Sequence, residues 1–204
     1  FDREAKKNFV IRRHIIDACQ ALDLPTLYKY EQNFGESEDV AHIRDGASFK
    51  MLFELSDQSD NPALTKLQLL NWTIFNYLIG NSDAHGKIVS FFMDTNKISL
   101  APFYDMLCSE AYPDLHKNLS MAIGDEFDPN EVAGFQWAEF CDENHLARKL
   151  AQKRMKIMCE SLEKNLNSVA APYKESRPFL DEVKGLVRKR IDRLRDALED
   201  LPEL

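Results

Sequence analysis

The chain has 204 residues, of which 44% are hydrophobic and 29% are charged, a balance typical of a globular protein with a sizeable core. Its formal net charge is −8, so the molecule as a whole repels phosphate backbones. Direct binding of nucleic acid is therefore not expected.

The cysteines and the hydropathy limit the class of protein further. The four cysteines lie far apart without a C-x-x-C pair, which argues against a zinc site and against a disulfide framework. We expect reduced, mostly buried thiols. No apolar run approaches the roughly 18 residues of a membrane helix, and no basic segment with an apolar core opens the chain. We expect a cytoplasmic protein with no membrane partner.

The first third of the chain predicts two helices separated by a loop. Residues 4–22 carry a mixed apolar pattern that is compatible with a helix ending before Pro25. Residues 27–34 are predicted to be a loop that packs on a core. Ser48 is a candidate helix cap, and apolar residues at helical spacing follow it, which predicts a short amphipathic helix.

A central helix is predicted after Asn61-Pro62, a pair typical of a helix start. Apolar residues then recur at intervals of three and four up to Leu78, and others widen the stripe until it covers most sides. Gly80 is the predicted stop. The polar loop 80–87 therefore leaves from the end of a buried helix.

A β-hairpin is predicted next, with strands at 88–93 and 98–100 and a turn at 94–97. Pro102 ends the second strand, and Asp105 follows between aromatic and aliphatic neighbours. The hairpin thus has one end next to Asp83 and the other next to Asp105.

The remainder predicts mostly helices. Residues 115–123 are either a short strand or an irregular segment, and residues 124–129 are a loop and turn. Helices are predicted at about 144–166 and from Pro178 to Leu201. The side chains expected to face inward in the first of these are Leu146, Leu150, Ile157, Met158, Leu162 and Leu166. The second has an apolar stripe at intervals of three and four, formed by Leu180, Val183, Val187, Ile191, Leu194, Leu198 and Leu201. With no internal repeat or linker, we predict one mainly α domain over residues 1–204.

The loop 80–87 is the candidate site, because loops on a rigid scaffold often carry chemistry. Phosphoryl transfer needs a carboxylate that accepts the hydroxyl proton and a metal ion that neutralises the phosphates. Asp83 suits the base, and Asp105 suits the ligand of Mg²⁺, which prefers oxygen. Lys87 is a candidate contact to the transferred phosphate, and His85 is a candidate for holding the loop in shape.

The order of aspartate, short basic loop, hairpin and aspartate is also that of a protein-kinase catalytic loop and its metal-binding aspartate. In that pattern, the residue five positions after the base is normally an asparagine that binds a metal ion. Here that residue is Ile88, which has no oxygen to offer.

Four patches together resemble the C-terminal lobe of HipA-type kinases. These patches are Phe1-Asp-Arg3, Cys19-Gln-Ala-Leu-Asp-Leu-Pro25 leading to Lys29-Tyr-Glu31, Ile79-Gly-Asn-Ser-Asp-Ala-His-Gly-Lys87, and Leu100-Ala-Pro-Phe-Tyr-Asp105. They stand in the family's order over residues 1–105. Residues 106–204 match only in length and helical character.

The resemblance implies a helical lobe of a protein-kinase-like fold, with a small β-hairpin carrying the metal-site aspartate. It implies ATP and Mg²⁺ as cofactors, with Asp83 as base, Asp105 as metal ligand, and His85 and Lys87 in the catalytic loop. Tyr104 would be a neighbour of the nucleotide, and Phe1 a hinge residue against adenine. The family's ATP-binding lysine and phosphate-covering loop would lie upstream of Phe1.

The family's members are serine/threonine kinases that serve as toxins of bacterial toxin–antitoxin modules and act on tRNA-charging enzymes. By resemblance, the partners are a helix-turn-helix antitoxin of the HipB type and a protein substrate, with DNA reached only through the antitoxin. Since Phe1 is not a methionine, we expect a longer polypeptide, and we expect residues 1–204 alone to be inactive.

Three hypotheses remain open at this point. The parent protein is an active kinase, or the loss of asparagine at Ile88 has made it a pseudokinase that acts by binding. Alternatively, the chain is a helical interaction domain unrelated to kinases, in which Asp83 and Asp105 do not converge. Taken alone, Asp83 in a glycine-rich turn is more commonly a turn or cap residue than a catalyst.

Overall fold

The predicted central helix is present as α3, Pro62–Ile79. The side chain of Asn61 accepts a hydrogen bond from the backbone N–H of Leu64, at 3.1 Å, which caps the first turn. Trp72, Ile74 and Leu78 are almost completely buried, so the C-terminal half of α3 is central, as predicted. The helix ends at Gly80, whose φ of +69° is a left-handed conformation that favours glycine.

The structure is a computed structural model that describes residues 1–35, 37–94, 97–170 and 176–201. It divides into two compact units. The first unit combines Phe1–Leu69 with Ala84–Asp105, and the second combines Leu70–Asp83 with Met106–Leu204. Both α3 and the loop that follows it contribute residues to each unit. A single domain over residues 1–204 stays a prediction.

Besides the start of α3, the described residues of the first unit form five short strands and two short α-helices. They are β1 (Arg3–Ala5), β2 (Val10–Arg12), β3 (Ile15–Asp17), α1 (Ala18–Ala21), α2 (Phe49–Leu55), β4 (Ser90–Met93) and β5 (Ile98–Leu100). β1 and β2 form an antiparallel pair, and β3, β4 and β5 form an antiparallel sheet in that order. The helix predicted after Ser48 is confirmed as α2, and the Ser48 side chain caps it.

The prediction of a helix over residues 4–22 is wrong. This segment forms β1, β2 and β3, and only α1 is helical. β-branched residues such as Val10, Ile11 and Ile15 favour strands, and here they have strand partners. α1 begins where Asp17 and Gln20 form a capping box, and the chain leaves it at Asp23, whose φ is +56°.

The predicted hairpin is confirmed by β4 and β5, which pair Phe91 with Leu100. Its first strand begins at Ser90 rather than at the predicted residue 88, because Gly86–Ile88 form a short 3-10 turn. Residues 95 and 96 of the predicted turn lie outside the described residues. The sequence did not predict the third strand, β3, which pairs Asp17 with Ser90 on the other side of β4. This pairing brings the start of α1 beside the residues that follow the loop.

The second unit is mainly helical. Its helices after α3 are α4 (Gly134–Glu143), α5 (Arg148–Ala170) and α6 (Arg177–Asp200). α4 was not predicted. Residues 115–123 are irregular and end in a single β-bridge between Ile123 and Glu126, which decides between the two alternatives for that segment.

The inward face predicted for α5 is partly wrong. α5 begins at Arg148 rather than near Asn144, because the chain at His145 is left-handed, with a φ of +54°. Leu150 and Ile157 are 41% and 42% exposed. The buried residues are Ala151, Met155 and Cys159, at intervals of four, so the apolar stripe is rotated relative to the predicted one.

The inward face predicted for α6 is correct over its second half. Val187, Ile191, Leu194 and Leu198 are buried at intervals of three and four. Arg190 is buried on the same face. At the core of this unit, Trp137 packs edge-on against both Tyr77 and Phe140, with ring centroids 5.5 Å and 5.6 Å apart.

The cysteines are free thiols, as predicted, and Cys19, Cys141 and Cys159 are buried. Burial raises the pKa of Cys141 to about 12 and that of Cys159 to about 11. Both thiols are therefore protonated at neutral pH, which makes them poor nucleophiles. Within the described part of the chain, no helix combines the length and apolarity needed to cross a membrane.

Gly46 offers a test of backbone packing in the first unit. A Cβ at this position would lie 1.7 Å from the carbonyl oxygen of Tyr30, which is main chain and cannot rotate away. We expect Gly46→Ala to lower the free energy of unfolding by about 1–3 kcal/mol, measured by urea denaturation.

Gly185 is the matched control, since it lies in the interior of α6 with nothing within 4 Å of an added Cβ. We expect Gly185→Ala to raise the free energy of unfolding by about 0.5–1 kcal/mol. Equal urea midpoints for Gly46→Ala and the wild type would contradict the close approach.

Candidate active site

Asp83, the predicted base, is an exposed residue that lies two positions after the buried Asn81. Asn81 is 1% exposed, its backbone N–H donates to the carbonyl of Asn76 at 2.9 Å, and its side-chain amide donates to the Asn76 side chain at 2.7 Å. The backbone N–H of Asp83 donates to the side-chain oxygen of Asn81 at 3.2 Å. The end of α3 therefore holds the backbone of Asp83 while its side chain reaches the surface.

Ser82 anchors the same turn to a later part of the second unit. Its backbone N–H donates to Oγ of Ser109 at 2.7 Å, and its hydroxyl donates to the carbonyl of His116 at 2.7 Å. The hydroxyl of Ser120 donates to the carbonyl of Ser82 at 2.6 Å. The residue before Asp83 is thus bonded through its N–H, its C=O and its side chain, which leaves the turn little freedom.

His85 lies in the first unit, where it is 7% exposed. Its Nδ1 accepts a hydrogen bond from the backbone N–H of Lys87 at 3.2 Å, and its Nε2 lies 3.2 Å from Nζ of Lys29. Tyr30 packs against the ring edge-on, with centroids 5.2 Å apart. These contacts fix the ring, which agrees with a role in holding the loop in shape.

Lys87, the predicted phosphate contact, forms an ion pair with Asp17. Nζ lies 3.1 Å from Oδ2 of Asp17, and this hydrogen bond is the main reason that the pKa of Lys87 is raised. The other oxygen of Asp17 caps α1. The Lys87 side chain keeps 35% exposure, so part of it stays accessible from solvent.

Phe1 and Tyr104, the predicted nucleotide contacts, lie together in the first unit. Their rings stack with centroids 5.7 Å apart and planes inclined by 27°. The hydroxyl of Tyr104 lies 2.9 Å from that of Ser90 and 3.3 Å from the carbonyl of Lys87. Since both rings are exposed, the pair presents an aromatic surface to solvent.

Asp105, the predicted metal ligand, is exposed and follows Tyr104 directly. Its φ of +58° is a left-handed conformation that aspartate tolerates better than most residues do. Unusual backbone conformations of this kind cluster at functional sites, although Asp23 and His145 share it here.

The described protein side chains suit Mg²⁺ only if a bound nucleotide supplies further oxygen ligands. Within the described ranges, no group of three or more His, Cys, Asp or Glu residues is placed to hold a metal ion. Mg²⁺ in nucleotide sites commonly takes one or two protein carboxylates and completes its shell with phosphate oxygens and water. An exposed Asp105 suits that arrangement, whereas Ile88, which is 5% exposed and apolar, does not.

Several residues at the site were missed by sequence reasoning. Asp17 was missed because the segment containing it was predicted to be helical throughout. Asn81, Ser82 and Ser109 were missed because small polar residues in a loop have no spacing that distinguishes a structural hydrogen bond from solvation. Lys29 and Tyr30 did have a signal, since they belong to one of the four patches shared with the HipA-type kinases.

The Lys87–Asp17 pair can be tested by titration. We expect Asp17→Asn to shift the pKa of Lys87 down towards its ordinary value, because the neutral amide no longer stabilises the ammonium group. The measurement is an NMR titration of labelled lysine side chains. Asparagine caps helices as well as aspartate does, so α1 should persist.

The sign of the pH dependence follows from the raised pKa. The pair stabilises the fold below the ordinary pKa of lysine, and this contribution is lost as the pH rises through the raised pKa. The stability difference between wild type and Asp17→Asn should therefore shrink at alkaline pH. Lys87→Gln is the control that removes the titrating group, and an unchanged Lys87 titration in Asp17→Asn would refute the pair.

Comparison with known proteins identifies the family of the chain. A family model described as the HipA-like C-terminal domain matches residues 1–168. A Shewanella oneidensis protein named as the serine/threonine-protein kinase toxin HipA is 48% identical over 141 residues, which cover 69% of this chain and 33% of that protein. The chain spans about a third of the length of the curated relatives it matches.

A solved structure extends the likeness to the whole fold. The Shewanella oneidensis toxin–antitoxin complex of HipA, HipB and operator DNA contains a chain that matches with a TM-score of 0.96 and 36% sequence identity. The match covers 100% of this chain and 49% of the other. With its helical lobe, its confirmed hairpin and the family match over most of its length, the chain belongs to the HipA-like C-terminal domain family.

Proposed function

We propose that the full-length protein is an ATP- and Mg²⁺-dependent serine/threonine kinase, the toxin of a toxin–antitoxin module, and that this chain carries its catalytic aspartates. The observation that carries the proposal is the turn at residues 80–83, which anchors the backbone of Asp83 among buried groups and leaves Asp83 itself exposed. Such fixed positioning is the main contribution that a protein makes to phosphoryl transfer.

The residues then have distinct roles. Asp83 accepts the proton of the attacking serine or threonine hydroxyl, and Lys87 attracts the transferred phosphate. Phe1 and Tyr104 offer the aromatic surface against which adenine packs. Asp105 would hold Mg²⁺, which would supply positive charge to offset that of the phosphates. His85 keeps the loop between Asp83 and Lys87 in shape.

The proposed partners are taken from the relatives, and the charge of this chain bears only on contact with DNA. The Shewanella HipA structure is a complex with HipB and operator DNA. We propose a HipB-type antitoxin as the partner here, with DNA reached through it, since a net charge of −8 disfavours direct contact with DNA. The target is a protein, and by family precedent it is a tRNA-charging enzyme.

The role of Asp83 can be tested by mutation in the full-length protein. We expect Asp83→Asn to reduce Mg²⁺-dependent transfer of phosphate from ATP to protein by about 10²-fold or more, because the amide cannot accept the hydroxyl proton. Transfer of labelled phosphate is the measurement. Asp192→Asn, at an exposed position of α6, is the matched control and should leave the rate unchanged.

A second candidate function is favoured by Ile88. A buried apolar residue stands where the family's metal-binding asparagine is expected, as it would in a pseudokinase that acts by binding. If the wild-type protein transfers no phosphate and Asp83→Asn keeps its cellular effect, the pseudokinase hypothesis replaces the kinase one.

The variant Ile88→Asn distinguishes a kinase from a pseudokinase by introducing the missing side chain rather than by removing one. In a kinase limited by a missing ligand, we expect this change to lower the Mg²⁺ concentration needed for half-maximal transfer by about tenfold. It should also cost about 1–3 kcal/mol of stability, because the new amide is buried. Ile88→Val is the control for packing alone. An active wild type whose Mg²⁺ dependence does not respond would show that position 88 binds no metal.

A further inference from the structure

Arg190 is a charged residue buried in the second unit. Its side chain is 1% exposed, and its guanidinium forms a two-pronged ion pair with Glu110. Nη2 donates to both carboxylate oxygens, at 2.9 Å and 2.8 Å, and Nε donates to one of them at 3.2 Å. Nη1 donates to the carbonyl of Pro129. The guanidinium is thus held from two directions in a fixed orientation.

Glu110 in turn packs directly on the residue at which α3 ends. Its backbone N–H donates to the carbonyl of Gly80 at 3.0 Å. A Cβ on Gly80 would lie 2.9 Å from Oε2 of Glu110, so the carboxylate occupies the space that only a glycine leaves open. Ser109, the preceding residue, accepts the backbone N–H of Ser82. The segment that Arg190 holds is therefore the one that anchors the turn before Asp83.

Stability alone does not account for this ion pair. Removing two charges from water is costly, and buried pairs of this kind can often be replaced by apolar residues without loss of stability. What an apolar pair cannot provide is a fixed direction for the Glu110 carboxylate against Gly80. The geometry therefore gives Arg190 a role in orientation.

We propose that Arg190 is a positioning residue, which holds residues 80–83 in their working arrangement through Glu110. The inference rests on the proposed function, since it assigns Arg190 a part in placing the base Asp83. Since its side chain is 1% exposed, Arg190 is proposed to act through other residues rather than by touching the substrate.

The test is the double variant Glu110→Gln with Arg190→Met in the full-length protein, which removes both charges and leaves neither unpaired. The readout is amide hydrogen exchange by mass spectrometry in peptides that cover residues 80–83 and 106–112. We expect exchange in these peptides to accelerate about tenfold or more, while peptides of α5 stay unchanged. In phosphate transfer, kcat should fall with little change in the KM for ATP.

The matched control is Glu163→Gln with Arg195→Met. This pair likewise involves a residue of α6 but joins it to α5, and its side chains are 57% and 42% exposed. We expect it to leave exchange in both loop peptides unchanged. Should the double variant fail to fold, Arg190→Lys decides instead, because lysine keeps the charge without the two-pronged geometry and should give a smaller acceleration confined to the same peptides.

Unchanged exchange at residues 80–83 in the double variant would overturn the proposal. Equal acceleration throughout the second unit would overturn it too, because the pair would then be a general stabiliser. A wild-type protein without phosphate transfer refutes the kinase function, whereas the exchange data still decide whether Arg190 positions the loop.

Discussion

The buried end of α3 is the constraint on which the candidate site depends. A helix leaves its last carbonyl groups without intrahelical partners, and a buried end must find those partners within the protein. Here the carbonyl of Asn76 accepts from Asn81, and that of Gly80 accepts from Glu110 and from the hydroxyl of Ser109. The turn before Asp83 is the product of this requirement, because it brings polar groups to the helix end.

The other half of the loop, residues 84–87, is held by contacts within the first unit. β3 pairs with β4, so Asp17 at the end of β3 comes within reach of Lys87 just before β4. His85 packs on Tyr30 and caps the short turn at Gly86–Ile88. Separate sets of contacts thus hold the two halves of the loop. Contacts at the end of α3 hold residues 80–83, and contacts in the first unit, which contains the sheet, hold residues 84–87.

The sequence predicted those features that local rules control. The start and stop of α3, the β4–β5 hairpin and the apolar stripe in the second half of α6 all depend on caps, glycine and periodicity, and all are present. The error over residues 4–22 has a physical cause, since strands of three residues carry too little periodicity to outweigh a helix-compatible pattern. The inward face of α5 was predicted wrongly because several apolar residues of that helix are exposed.

The structural support of the site was less predictable, because it depends on contacts between distant residues. Residue type alone marks Asp83, His85 and Lys87 as candidates for chemistry. Nothing in the sequence distinguishes Ser109 and Ser120 from ordinary loop serines. The position of Arg190 in the sequence, by contrast, did carry a signal. It lies three residues after Val187 and four before Leu194, on the apolar stripe of α6, where an unpaired arginine would be costly.

The Arg190–Glu110 pair joins residues 80 positions apart in the chain. The bonds between Asn76 and Asn81 close a loop of a few residues and can form as soon as α3 does. The ion pair must bear the entropy of closing a much longer loop, so it belongs to the slow, non-local part of folding. The final arrangement at the end of α3 therefore depends on the docking of α6 as well as on residues close by in the sequence.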